Sequence, residues 1–399
     1  MSVLKSVLHH VAIGSVLLLP ALSSLSVQAA VAGCDGALPL EHVFDSGAAW
    51  ELCVEVDERH GIELRNIHYR APGDTLRSVL KQLHVAQIMM HYHDESDARP
   101  QLGNADDGRL LPMTAQQCNG DRLPSNSGDA DQNEATLCAR VGDNRVLAKF
   151  AQRPALHSER WVLRSALQRN SLVWSTSVAL SEDGQITPAV RLSGRAREAN
   201  SNVSTRYTTS PDDGNTQLVR ATVLNTWRMV FNLDDGAFDK VQQFDFPLLE
   251  EFGNRRPMQL SNIDSERFGV VDRELFRAWR VLDTTGSGYY LDPSNSGFSY
   301  TGGKLNWTRF DVGFSRYKNC ERYAFNNTTH DPEARSCGAS LDDYINAESL
   351  TDAHPVMWYS QSHTFNPTRE DWPVIRNFKQ SFTLLPFDWT PASPFEVVE

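Results

Sequence analysis

The stretch VLNTWRMVFNLDDG, residues 223–236, decides the fold class of this chain. From Val223 to Leu233 every second side chain is large and apolar, with the exception of Asn225. Alternation with a period of two is the pattern of a β-strand that buries one face, because successive side chains point to opposite sides. The run ends at Asp234-Asp235-Gly236, which is typical of a turn. The sequence therefore predicts a long strand that closes at this turn.

The same alternation recurs along the chain. Residues 50–56 and 172–180 both carry it, and the second run ends in a turn at Glu182-Asp183-Gly184. Helical periodicity is weak outside residues 75–85 and 265–282, and no interdomain linker is evident. Many strands with turns between them predict an all-β protein, a large antiparallel β-sandwich with a few short helices over residues 47–399.

The amino terminus has the pattern of a signal peptide over residues 1–29. Lys5 is basic, Val11 to Leu19 is apolar but too short to span a bilayer, and Val27-Gln28-Ala29 resembles a cleavage site. We therefore expect a secreted or periplasmic protein with a short N-terminal segment at residues 30–46. An alternative is a lipoprotein anchored at Cys34, because residues 31–34 (VAGC) resemble a lipobox.

Composition limits the partners of the exported chain. Fifty acidic residues stand against thirty-eight Lys and Arg, a net charge of −12, so nucleic acid is a poor partner. The chain has six cysteines, an even number that favours disulfides in an exported protein and leaves fifteen pairings open. No CxxC pair is present, so a zinc knuckle is not supported.

Six segments deserve to be considered together: WELCVEVDERHGIELRNIHYR (50–70), HVAQIMMHYHDES (84–96), SEDGQITPAVRLSG (181–194), FRAWRVLDTTGSGYYLDP (276–293), NCERYAFNN (319–327) and HPVMWYSQSHTFNPTREDWPVIRNFKQSFTLLPFDWTPAS (354–393). In their order and spacing they resemble the catalytic domain of copper amine oxidases. The last segment is the most specific, since the family has an EDWP motif there.

The resemblance implies a covalent cofactor and a partner. Copper and topaquinone are the cofactors of the family, a primary amine is its substrate, and its members pair as two-fold homodimers that exchange hairpin arms. Here the arm region between Gly194 and Gln217 looks shortened. The resemblance also implies a disulfide between Cys118 and Cys138. Cys320 and Cys337 flank another polar loop and form our second predicted pair, and Cys34–Cys53 follows by elimination.

The positions that carry the family's chemistry are degenerate in this alignment. The tyrosine that becomes the quinone aligns with Leu172, and no tyrosine lies between Tyr92 and Tyr207. The copper histidines align with Val223, Asn225 and Phe365, with His363 two residues from the last position. The base aspartate aligns best with Asp107. We therefore expect no catalytic residue or metal ligand at these positions and no bound cofactor.

Other site patterns are weaker. His68, His91 and His93 lie on neighbouring predicted strands and, with Asp94, are an alternative zinc or copper site. No G-x-S-x-G elbow and no phosphate-binding glycine loop is visible.

Together these residues favour a non-catalytic binding or structural homologue of the amine oxidases. Its channel would persist as a pocket for a small amine or other small ligand, lined by aromatic residues such as Trp174 and Trp227. Two alternatives remain open: an enzyme of other chemistry in the same cavity, and an active primary amine oxidase, an oxidoreductase whose motifs are misaligned here.

Overall fold

A computed structural model describes most of the chain. The described residues are 33–95, 97–103, 108–125, 134–149, 155–199, 202–211, 216–236, 238–253, 255–293, 305–326, 332–391, 393 and 395. The expected signal peptide and Asp107 lie outside them.

The described residues are mostly β-strands. The first eleven are β1 (Leu38–Val43), β2 (Ala49–Asp57), β3 (Gly61–Arg70), β4 (Arg77–Tyr92), β5 (Arg99–Leu102), β6 (Arg109–Leu110), β7 (Asp121–Leu123), β8 (Leu137–Ala148), β9 (Leu156–Arg169), β10 (Leu172–Ser181) and β11 (Ile186–Gly194). The others are β12 (Thr208–Thr209), β13 (Leu218–Val219), β14 (Ala221–Phe231), β15 (Lys240–Asp245), β16 (Gln259–Asn262), β17 (Arg267–Gly269), β18 (Ala278–Leu282), β19 (Gly288–Asp292), β20 (Val312–Arg316), β21 (Pro355–Phe365), β22 (Ile375–Ser381) and β23 (Thr383–Phe387). Two short helices, α1 (Pro332–Ser336) and α2 (Leu341–Tyr344), follow β20.

Two large antiparallel sheets form the body of the described chain. One has nine strands in the order β1-β2-β3-β4-β14-β21-β20-β17, with β5 beside β4. The other has twelve in the order β16-β15-β18-β19-β23-β11-β10-β9-β8-β7, with β22 beside β11 and β6 beside β9. A single large cluster of buried apolar side chains includes residues of both sheets, such as Trp174 on β10 and Trp227 on β14. The predicted all-β sandwich with few short helices is confirmed.

The β10–β11 turn is fastened to the opposite sheet. The indole of Trp50 donates a hydrogen bond to the carbonyl of Ser181 at 2.9 Å, and the hydroxyl of Tyr69 donates to that of Glu182 at 2.8 Å. Gly184 has a φ of +84°, and a Cβ there would lie 2.9 Å from the ring of Tyr69. Only glycine therefore fits this turn without displacing the ring.

Strand β14 lies in the middle of its sheet, between β4 and β21. One face contributes Val223, Trp227 and Met229 to the large core. The other face is covered by a second cluster in which Leu224 and Val230 are grouped with residues of the segment that follows β20. Burial of both faces makes this strand the rigid support for whatever site its side chains form.

Two segments with helical periodicity are strands instead. Residues 75–85 enter β4, and residues 265–282 contain β17 and β18. Strand β4 is buried on both faces through its second half and contains register shifts opposite β14, so its apolar pattern does not alternate cleanly. Within the N-terminal segment, residues 38–43 form β1 and pair with β2.

All three predicted disulfides are present. Cys34–Cys53, Cys118–Cys138 and Cys320–Cys337 have Cα separations of 5.4, 5.7 and 5.7 Å. The bond at Cys34 excludes a lipid thioether on the same sulfur. Disulfides of this number are typical of an oxidising compartment. Within the described ranges no helix is long and apolar enough to cross a membrane.

Candidate functional site

The positions aligned with the copper ligands lie on two adjacent strands. In the register of β14 with β21, Val223 is opposite His363 and Asn225 is opposite Gln361. Phe365 is opposite Ala221. Val223 and Asn225 are completely buried, whereas His363 is exposed to solvent.

Asn225 makes a polar contact across the sandwich rather than with a histidine. Its amide Nδ2 donates to Oε1 of Gln380 on β22 at 2.7 Å. Gln361, its neighbour on β21, donates from Nε2 to the carbonyl of Ser381 at 2.9 Å. These bonds tie the two sheets together by side-chain amides.

The three aligned side chains do not meet at one point. Phe365 is four residues beyond Gln361, the partner of Asn225, a distance of ~14 Å along a strand at about 3.4 Å per residue. The ring of His363 contacts the ring of Phe378 edge-on, with 5.3 Å between centroids, and partial burial lowers the pKa of His363. Asn225 and Phe365 therefore lie too far apart along the strands for both to bind one metal ion.

These residues do not fit a copper centre. Val223 and Phe365 have no side-chain donor atom, and Asn225 offers a metal only its Oδ1, since its Nδ2 donates to Gln380. Copper in proteins favours imidazole ligands, and within the described ranges no group of three metal-binding side chains gathers on β14 and β21. No catalytic step through copper follows from this arrangement.

Leu172, aligned with the quinone tyrosine, begins β10 opposite Gly194 and is buried. It borders a cavity of about 370 Å³ that Tyr92, Arg99 and Arg197 also line. A leucine side chain has no phenol that could be oxidised to a quinone, so topaquinone does not fit at this residue.

The two tryptophans that were expected to line a ligand channel lie in the hydrophobic core instead. Trp174 and Trp227 are completely buried in the core, and neither borders the cavity beside Leu172. Within the described part of the chain, neither indole nitrogen has a hydrogen-bond partner. Those two residues therefore pack the sandwich.

The alternative histidine site is excluded by strand register. His68 on β3 is opposite Ser78 near the start of β4, whereas His91 lies thirteen residues further along β4. That separation is roughly 40 Å along the strand, so no single ion could bind both. His91 and His93 do lie near each other, with ring centroids 6.1 Å apart.

A polar cluster that the sequence did not reveal lies where β2 turns into β3. Asp57, His60 and Glu63 each place one donor atom within 4.8 Å of the other two, and no other such group occurs in the described residues. Asp57 accepts hydrogen bonds from the backbone N–H groups of Arg59 and His60, and its other oxygen lies 2.9 Å from Nδ1 of His60. The carboxylate therefore fixes the orientation of the imidazole.

Glu63 is joined to neighbouring strands. Its Oε1 accepts from Nε of Arg65 at 2.5 Å and from Nε2 of Gln82 at 2.6 Å, and His84 on β4 is its direct cross-strand neighbour. Burial alone would raise its pKa, but the protonated forms of His84 and His60, together with Arg65, hold the pKa of Glu63 at about 2. Glu63 is thus an ionised, buried carboxylate.

The two imidazoles of the cluster differ in protonation. Burial lowers the pKa of His84 to about 3, with His60 adding to the effect. Burial opposes protonation of His60 too, but Asp57 raises the pKa of that ring above its usual value. Their rings lie 4.6 Å apart at the centroids, and Nε2 of His60 and Nδ1 of His84 have no partner among the described residues. A divalent cation could bind here only in competition with Arg65, so the contacts favour a compensated structural network.

Comparison with known proteins identifies the fold. The family described as "Copper amine oxidase, enzyme domain" matches residues 277–398. A copper-containing benzylamine oxidase from Hansenula polymorpha is similar over 90% of this chain and 62% of its own, with a TM-score of 0.70 and 15% identity. The Pichia pastoris lysyl oxidase covers 86% of this chain and 52% of its own (TM-score 0.66, 13% identity).

An Aspergillus nidulans amine oxidase covers 97% of this chain and 56% of its own, with a TM-score of 0.64 and 16% identity. The chain thus spans about half to three-fifths of the length of these structures. At such identities they establish the shared fold, and the family match establishes the relationship over the last third of the chain. On these two findings the chain has the fold of the copper amine oxidases, and its residues 277–398 match the enzyme domain of that family.

Proposed function

We propose that this chain is an exported, non-catalytic member of the copper amine oxidase family that serves as a binding or structural protein. The proposal rests mainly on strand β14, where Val223 and Asn225 stand at the positions aligned with two copper histidines. Asn225 donates to Gln380 through Nδ2, and its Oδ1 is the one donor atom that the three aligned positions offer, too few to hold copper. Leu172 supports the proposal independently, because it lacks the phenol that the quinone requires.

The cavity beside Leu172 is the place where a small ligand would bind in this protein. It combines Tyr92 with Arg99, Arg197 and Glu198, so its lining is polar and charged. Arg197 forms ion pairs with Asp94 and Glu95, which fixes the guanidinium above the ring of Tyr92. A homodimer remains a prediction carried by the resemblance alone.

An active primary amine oxidase is the main alternative, and an enzyme of other chemistry in the same fold is the second. An active oxidase needs a tyrosine and three histidines that meet in one place. Within the described residues, the pairing of Val223 with His363 brings one histidine to the aligned strands. The proposal therefore differs from this alternative in a measurable property, the presence of a protein-bound quinone.

Purified protein loaded with copper under oxygen should give no redox-cycling quinone stain and no stoichiometric copper that depends on His363. A stained band, or oxidation of benzylamine with release of hydrogen peroxide, would contradict the proposal. If copper binds, His363→Gln and His60→Gln form a matched pair. Loss of copper only in His60→Gln places it at the Asp57 cluster and leaves the proposal intact, whereas loss only in His363→Gln places it at β14 and β21 and contradicts the proposal.

A further inference from the structure

The outer face of the twelve-stranded sheet carries a cationic cavity of about 360 Å³. Its size falls in the range of about 300–1,000 Å³ that is typical of small-ligand pockets. Five cationic side chains line it: Arg140, Arg160, Arg164, Arg191 and Lys379. Among the described residues, no acidic side chain lines it.

The cations come from four strands and surround a floor of small residues. Arg140 lies on β8, Arg160 and Arg164 on β9, Arg191 on β11 and Lys379 on β22. The floor is provided by Ser177 and Ala179 on β10 and by Ala189 on β11, and Ser177 is the direct cross-strand neighbour of both Arg164 and Ala189. Short side chains at the centre and long cationic ones around them make the surface concave.

Among the described residues, no ion pair compensates the positive charges of this cavity. None of the five side chains forms an ion pair within the part of the chain that the structure describes, although the whole chain has a net charge of −12. Arg191 and Lys379 are directly opposite each other on β11 and β22. Like charges in directly opposite positions destabilise an antiparallel pair. The fold thus retains an unfavourable contact at this place.

Besides burial, mutual repulsion between these cations also lowers the pKa values of two of them, Arg164 and Lys379. Burial, together with Arg140 and Arg191, lowers the pKa of Arg164. Burial, together with Arg191 and Arg160, lowers the pKa of Lys379. An anion between these side chains would reverse both effects, because it would stabilise the charged forms.

Arg164 supplies a donor without an acceptor. Its Nη2 donates to the carbonyl of Gln117 at 3.1 Å, while its Nε is buried and has no hydrogen-bond partner in the described residues. Guanidinium groups bind phosphate and sulfate oxygens with strong, charge-assisted hydrogen bonds. An oxyanion in the cavity would therefore satisfy this nitrogen as well as neutralise its neighbours.

We propose that this cavity binds a phosphate or sulfate group through Arg164, Arg191 and Lys379, with Arg140 and Arg160 at its rim. The group belongs either to a small free anion or to a larger sulfated polysaccharide, because both present the same tetrahedral oxyanion. This binding does not depend on the proposed loss of oxidase activity, since the cavity lies on the outside of the sandwich.

The test is calorimetric titration of the full protein with inorganic pyrophosphate and, separately, with a sulfated polysaccharide, at constant ionic strength. Lys379→Gln and Arg191→Gln should each weaken binding by about tenfold, the effect of one charge-assisted hydrogen bond. Without anion, Lys379→Gln should raise the melting temperature, because the repulsion with Arg191 is removed. Arg335→Gln is the control, since Arg335 is exposed on α1 and does not line the cavity.

Saturable binding of pyrophosphate that is weakened in both cavity variants supports a site for a small free anion. Binding of the polysaccharide alone, with the same loss, supports recognition of the group on a larger chain. Binding of neither ligand overturns the proposal. Equal weakening in Arg335→Gln and Lys379→Gln overturns it too, since the interaction would then reflect overall charge.

Discussion

Glu63 is the residue of the Asp57 cluster whose contribution to stability is the most direct to test. It is 4% exposed, and its carboxylate is held by Arg65 and Gln82. Glu63→Gln should lower the free energy of unfolding by about 2 kcal/mol. That is less than the 3–5 kcal/mol of a fully buried pair, because Arg65 is partly in water. Glu55→Gln, which removes the second carboxylate of Arg65, is the control and should cost less than about 1 kcal/mol.

Glu63→Gln should also change how the free energy of unfolding decreases at acidic pH. The pKa of Glu63 is about 2 in the folded chain against an ordinary 4.5, so its stabilisation is present above pH 4.5 and is lost as the pH falls toward 2. Urea unfolding over this range should show a steeper loss in the wild type than in Glu63→Gln. Parallel curves would show that Glu63 does not contribute to acid sensitivity.

The sequence predicted some candidate site residues and missed others. The alignment gave testable positions for Leu172, Val223 and Phe365, because each stands near a turn or motif with a recognisable spacing. It missed the Asp57 cluster, although Asp57, His60 and Glu63 lie three residues apart in one stretch. Spacing alone did not show that this turn is buried against β4, where His84 faces Glu63.

The β10–β11 hairpin depends on a glycine for two separable reasons. Gly184 has a positive φ and is crowded by Tyr69, whereas Gly286 has a φ of +94° with nothing within 4 Å of its notional Cβ. Gly184→Ala should therefore cost about 2 kcal/mol more than Gly286→Ala, since both incur backbone strain but only the first displaces a packed ring. Chemical denaturation of the two variants measures the difference. Equal losses would mean that Tyr69 moves aside freely.

Strands were predictable where apolar and polar residues alternate along the chain. The alternation in residues 172–180 and 223–233 predicted β10 and β14, and in β14 it is visible although both faces are buried, because Thr226 and Arg228 interrupt the apolar residues. Strand β4 and the region of β17 and β18 suggested helices, since burial or irregular register obscured the period. The disulfide Cys118–Cys138 followed from resemblance, not from the strands it joins.

At the scale of the whole molecule, net charge did not reveal where charge is placed. An acidic total argued against polyanionic partners, yet five cations that form no ion pair with the described residues share one cavity on the outer face of the twelve-stranded sheet. Composition gives only the total charge of the chain, whereas binding of an anion depends on the local charge that side chains from four strands create together. The two-sheet fold was predictable from pattern and resemblance, while the cation cluster required the register of β8 to β11 and β22.

Strand β1 is an edge strand of the nine-stranded sheet, and it pairs with β2 over six residues. The Cys34–Cys53 disulfide closes this pair into a ring and contributes about 3 kcal/mol by limiting the unfolded chain. Without it β1 would detach more readily and leave the backbone of β2 unpaired, a template on which strands of other molecules can add. Cys34→Ser/Cys53→Ser should therefore form aggregates on mild heating, detected by light scattering, whereas Cys320→Ser/Cys337→Ser should not. We therefore expect the disulfide nearest the amino terminus to limit self-association through this edge of the sheet.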